Sequence, residues 1–192
     1  DVPLAKLAER FQQVLLVDVL HPSSAQRLIR PYANVQLLEH DLTECAEAVL
    51  TLPNTAPVAA IEALGQRQPA RFLDDASIDF VASVNLLSQL SLVPSEWLLR
   101  RFPQHPAGHI NRFAIELMRR HLEYLRRFDA NTCLIADAEQ ITLDRNGIIL
   151  EHTDYATLFF PDITPLSQWW WDIAPTGEVG PGITSRHRVL VL

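Results

Sequence analysis

Glycine is scarce: the 192 residues hold six, and the first is Gly65. A backbone loop that closes on a phosphate or pyrophosphate needs glycine, so no such loop is readable ahead of that position. Lysine is confined to Lys6 and the formal net charge is −7. A polyanionic partner calls for a basic face, so nucleic acid is not expected. The two cysteines, Cys45 and Cys133, form no C-x-x-C pair. Without metal or disulfide spacing they point to a reducing cytoplasm. No apolar run reaches the ~20 residues that cross a bilayer, and the start has no basic segment followed by an apolar one. A soluble protein with no membrane partner is expected. The chain opens at Asp1 without methionine, so residues upstream are expected.

The residues that are present suit one domain, 1–192, since 48% are apolar. Leu4, Leu7, Ala8 and Phe11 recur at helical spacing behind Pro3. The run VLLVDV at 14–19 is continuous and β-branched, which predicts a strand buried on both faces. His21, Pro22, Ser23 and Ser24 then supply a turn and a start for a helix over 23–31. VQLLEHD at 35–41 repeats the strand pattern, with a helix from Thr43, and PVAAIEAL forms a helix closed by Gly65. IDFVASVNLL at 78–87 predicts a further buried strand, and 90–106 reads as a loop with a short helix. Ile110, Phe113, Leu117, Met118, His121 and Leu125 lie on one stripe of a long helix over 109–128. TCLIAD at 132–137 is the strand after it. Then the periodicity changes: ITLDRNGIILEH reads as a hairpin, and strands follow at 168–175 and 185–192, joined by TGEVGPGIT. Alternation in the last run sets Arg186 and Arg188 opposite His187 and Val189.

A strand ending in Asp18, a strand ending in Asp41 and the run LDDASIDFVASVNLLSQL at 73–90, followed by a long helix, a strand and two antiparallel strands, resemble class I S-adenosylmethionine-dependent methyltransferases. The resemblance covers nearly the whole chain. It implies an α/β fold with a doubly wound, Rossmann-like, mostly parallel sheet ending in an antiparallel strand pair. It also implies a central first strand and glycine-rich loop that this sequence does not contain, so that strand is expected upstream or from a partner. In an alternative register VLLVD is itself the first strand, but HPSSAQ after it holds no glycine.

On that resemblance the cofactor is S-adenosyl-L-methionine, with S-adenosyl-L-homocysteine as product. Asp18 is expected to accept from both ribose hydroxyls, as two carboxylate oxygens suit a diol, with Val19 and Leu20 bordering the adenine. Asp41 is expected to accept from the adenine amino group, with Leu42 offering a backbone donor. Each acid has a plainer role open to it, the capping of the next helix. Ser83, Val84 and Asn85 end the strand after which open α/β sheets bind ligands, so they line the cofactor site. Asn85, Gln89 and Trp170 are the substrate candidates, and Trp170 equally suits a dimer surface. Methyl transfer to a small-molecule or protein acceptor is the expected activity, needing alignment more than a catalytic triad. A homodimer is compatible with it, and the alternative is a non-catalytic binding or assembly module of the same fold.

Other chemistries fare worse. His105 and His109 have the spacing of two metal ligands on a helix, but Pro106 and Gly108 between them predict a loop, so no metal is expected. His121 falls on the apolar stripe and reads as a core histidine. A short-chain dehydrogenase needs a tyrosine with a lysine four residues later, and Tyr32, Tyr124 and Tyr155 have none.

Overall fold

A computed structural model describes residues 2–175 and 178–192, so Asp1 and part of the TGEVGPGIT link lie outside the described residues. The first half alternates: α1 (Leu4–Arg10), β1 (Val14–Asp18), α2 (Ser23–Ile29), β2 (Val35–Glu39), α3 (Ala46–Leu50), α4 (Val58–Gly65) and β3 (Phe80–Val84). It continues with α5 (Leu92–Arg101), α6 (Ala107–Arg126), β4 (Asn131–Leu143), β5 (Ile149–Asp154), α7 (Tyr155–Phe159), β6 (Ser167–Ala174) and β7 (Thr184–Val191). Proline starts much of this: Pro3, Pro22, Pro57 and Pro106 stand at the N-caps of α1, α2, α4 and α6. A proline there has no N–H to leave unpaired, and it keeps the preceding residue out of the helix.

The long helix α6 organises the interior. Its first turns bury Ile110, Phe113 and Leu117 among Val49, Ile61 and Leu98 of α3, α4 and α5. Its later turns bury Met118, Leu122 and Leu125 against Leu134 and Ala136 of β4 and Leu190 of β7. Each such side chain contributes about 1.5–3 kcal/mol by leaving water. Gly65 ends α4 where α6 crosses it, and a Cβ there would stand 3.0 Å from Phe113 Cδ2 and 3.3 Å from its carbonyl oxygen. Among the described residues no helix is long and apolar enough to cross a membrane.

The sheet arrangement corrects the doubly wound, mostly parallel expectation. β1 and β2 form a separate parallel pair, and the other five strands form a mixed sheet of order β3-β4-β7-β6 with β5 on β4. Within that sheet only β3–β4 is parallel, while β4–β5, β4–β7 and β6–β7 are antiparallel. The reason lies in β4, which runs 13 residues. Past its parallel partner it continues to Leu143, and the turn at Asp144–Gly147 sends β5 straight back, a connection only antiparallel strands can make. Nor does any described strand join β1 to β3. Phe11 stacks on Phe80 with ring centroids 5.7 Å apart, which brings the beginnings of β1 and β3 together without pairing them. With one hydrogen-bonded neighbour each, β1 and β3 are not buried on both faces as the apolar runs predict. Leu15, Phe80 and Val84 are exposed.

Candidate functional site

The carboxyl ends of β1, β2 and β3 carry the sequence candidates. Asp18 is exposed, and its Oδ1 accepts from its neighbour Val19 N–H at 2.7 Å. Its other oxygen has no hydrogen bond among the described residues. It does not cap α2, whose N-cap is Pro22. Val19 and Leu20 beside it are 65% and 67% exposed, an apolar surface with nothing packed on it.

Asp41 is built differently. Its Oδ1 accepts from Thr43 N–H at 2.9 Å and Thr43 Oγ1 at 2.6 Å, and its Oδ2 from the N–H groups of Cys45 at 3.0 Å and Ala46 at 2.8 Å. Four donors occupy both oxygens, so Asp41 holds the start of α3 and retains no acceptor for an adenine amine. Leu42 turns its side chain to the core packed under α6. Burial raises the Cys45 thiol above its ordinary value, which the hydrogen bond with Thr43 only partly offsets, so it is a packed thiol rather than a reactive one.

After β3 the candidates divide. Ser83 is buried with its Oγ 2.8 Å from His121 Nε2, so it is committed to the interior. Burial lowers the His121 pKa to about 4. The imidazole is therefore neutral, and its Nδ1 has no partner. Val84 is exposed. Asn85 adopts φ 50°, donates its backbone N–H to Ile135 O at 2.7 Å, and buries Oδ1 without a partner. Among the described residues, left-handed backbone in a residue other than glycine and an unpaired buried side-chain oxygen coincide only here. Gln89 is exposed in the turn that follows. Trp170 is not brought to this group: β4 and β7 lie between β3 and β6, about 14 Å of sheet at ordinary strand spacing. Its ring instead lies under the Arg186 guanidinium at 5.5 Å.

The paired histidines separate as well. His105 Nε2 bonds Ala56 O at 3.0 Å, while His109 Nδ1 lies 2.9 Å from Glu62 Oε1, which Arg112 also contacts. Those hydrogen bonds from His109 and Arg112 hold the Glu62 carboxyl below its usual value. Among the described residues no three His, Cys, Asp or Glu side chains are grouped to hold a metal ion.

Two features escape the sequence reading. One is a broad cavity of about 1210 Å³ beside Asp41, lined by Leu15 and Leu37 of the small sheet and by Glu44, Arg71 and Phe72. Its polar wall is largely self-satisfied, since Glu44 Oε1 accepts from Ala70 and Arg71 N–H at 2.9 and 2.8 Å. The other is a buried acid, Asp137 of β4, 6% exposed, which takes hydrogen bonds from Ser88 Oγ at 2.7 Å and Gln140 Nε2 at 3.0 Å. His187 Nδ1 stands 3.2 Å from its Oδ1, off the line of a hydrogen bond. The signal for it was a third strand run, TCLIAD, that ends in an acid as those at Asp18 and Asp41 do.

Comparison of the chain with protein-family models, with curated proteins and with solved structures finds no match.

Proposed function

We propose that the chain takes part in methyl transfer from S-adenosylmethionine to a small-molecule or protein acceptor in the cytoplasm. The observation that carries this reading is Asn85, in the left-handed region at φ 50° at the carboxyl end of β3 with Oδ1 buried and unpaired. An orphaned buried acceptor costs stability, and a donor from a ligand would recover about 1–3 kcal/mol there. Asp18 supports it with one carboxylate oxygen unoccupied among the described residues and apolar Val19 and Leu20 exposed alongside.

The reading rests on Asp18 for the ribose end and on Asn85 for an amine. It does not extend to Asp41, whose four hydrogen bonds remove it as the adenine acceptor. When bound, the group would supply a methyl already activated on a sulfonium. What the chain's own residues do is narrower. Asp18 would accept the ribose hydroxyls, and Asn85 Oδ1 would accept from an amine.

Calorimetry on the full-length protein with S-adenosylmethionine and S-adenosylhomocysteine tests this. Binding is expected with both, weakened at least about tenfold by Asp18→Ala, the loss of a charge-assisted pair of hydrogen bonds. No heat with either ligand would overturn it. The engaged state of Asp41 favours a second reading, a non-catalytic binding module, which predicts binding of the demethylated product without turnover.

A further inference from the structure

We propose that the face of β4, β7 and β6 around Asp137 and His187 binds a flat aromatic molecule bearing a hydroxyl, a phenol in chemical class. Strand register puts the parts together. His187 lies opposite Gln140 on one side and Trp171 on the other, and Val189 lies opposite Asp137 and Trp169. Residues directly opposite in a sheet share a face, so Asp137, Gln140, His187, Trp169 and Trp171 all project to one side. Ser88, from the turn after β3, closes the end beside Asp137.

The other side of the same strands is a separate system. There Arg188 donates to Gln168 at 2.9 Å and pairs with Glu139, and Arg186 covers Trp170. Those guanidiniums are spent on that side. The buried Asp137 carboxylate therefore has two neutral donors and the imidazole of His187, and no arginine or lysine pairs with it among the described residues. From α7, Tyr155 sits close enough for the charge of Asp137 to raise its hydroxyl pKa further, behind the larger effect of burial.

The ligand class follows from what is left over. Trp169 and Trp171 remain 42% and 43% exposed, leaving part of each broad apolar ring open to solvent. A ring stacked on them would lie beside His187, whose side chain is 13% exposed and whose Nε2 makes no hydrogen bond among the described residues. That nitrogen can accept the hydrogen of a phenol. If the proton passes over, the O–H bond breaks as the N–H bond forms, leaving a phenolate and an imidazolium held against Asp137. Calling the phenol the methyl acceptor rests on the function proposed above, whereas the binding site rests on its own geometry.

Tryptophan fluorescence of the full-length protein, titrated with p-cresol in the absence of any methyl donor, tests the site. Saturable quenching below about 10 mM is expected, with p-methylanisole, which lacks the donor, at least about fivefold weaker. His187→Gln and Trp171→Ala should each weaken p-cresol about tenfold, whereas Trp170→Ala, on the opposite face, should leave it unchanged. Trp171→Phe should restore most of the binding lost in Trp171→Ala. Absence of saturation, equal affinity for the two probes, or equal loss in Trp170→Ala would each overturn the proposal. Because no sulfonium is present, this outcome is independent of the calorimetry on Asp18.

Discussion

Lowering the pH from about 7.5 to about 5 should remove about 2 kcal/mol of stability through His121 alone. The side chain is 3% exposed, and burial takes its pKa from 6.5 down to about 4. The unfolded chain therefore binds a proton that the folded chain refuses. Stability from this group is complete above pH 6.5, falls as the pH drops below it, and levels off near the folded value. The full difference of about 2.5 pKa units is worth about 3.4 kcal/mol, of which about 2 is lost by about pH 5. Urea unfolding at the two pH values measures the total acid sensitivity, to which other groups also contribute. The double variant Ser83→Ala/His121→Leu isolates the histidine. Replacing both members of the 2.8 Å Ser83–His121 pair with apolar side chains leaves no new orphan, so the fold should survive with little net change at about pH 7.5. Its loss between the two pH values should be about 2 kcal/mol smaller than that of the parent chain. Equal losses would refute the assignment of a buried neutral imidazole.

Two further substitutions probe the packing and the loops. Gly65→Ala should destabilise by about 1–3 kcal/mol despite the better helix propensity of alanine, because the new methyl meets Phe113 Cδ2 at 3.0 Å and its backbone at 3.3 Å; the urea midpoint reports it, and a neutral or stabilising result would show that α4 can shift on α6. Asp41→Ala should cost about 2–3 kcal/mol by orphaning the Thr43, Cys45 and Ala46 donors. If calorimetry instead shows a specific loss of ligand binding at unchanged stability, Asp41 is a ligand residue and its hydrogen bonds are incidental.

Helix α6 was legible because a twenty-residue helix repeats its apolar stripe often enough to outweigh local noise. Neighbouring α5 was legible only as a short helix within a loop over 90–106, whereas it fills Leu92–Arg101. Pro94 falls in its first turn, where a missing N–H costs nothing, so the proline does not mark its end. The extent of β4 was hidden by a bulge between Asp137 and Glu139, which inserts a residue, breaks the alternation and makes the strand seem to stop at the acid. Burial of β1 and β3 was misjudged for a different reason. A continuous apolar run states what a strand can bury, whereas what it does bury depends on strands paired to it, and that information is not local.

The candidate site shows the same limit at finer grain, in two acids that end similar strands and meet different fates. After Asp41 comes Leu-Thr-Glu-Cys-Ala, and Glu44 takes φ 51°, folding the chain so that the N–H groups of Thr43, Cys45 and Ala46 all point back at the carboxylate. After Asp18 comes Val-Leu-His-Pro, and α2 begins behind Pro22, which has no N–H to offer. The first acid is consumed by its own loop and the second is left with an acceptor to spare. Thr43, two residues after its acid, is a readable mark of a side chain turned inward on its own backbone, and Pro22, four residues after its acid, is a mark of one that is not. Asp137 carries neither mark: beyond Gln140 three residues on, the groups gathered at it, Ser88 and His187, lie 49 and 50 residues away along the chain. A strand-end acid is thus a site signal only when the residues after it fail to claim it, and for Asp137 much of the claim comes from Ser88, outside its strand, where a single sequence is silent.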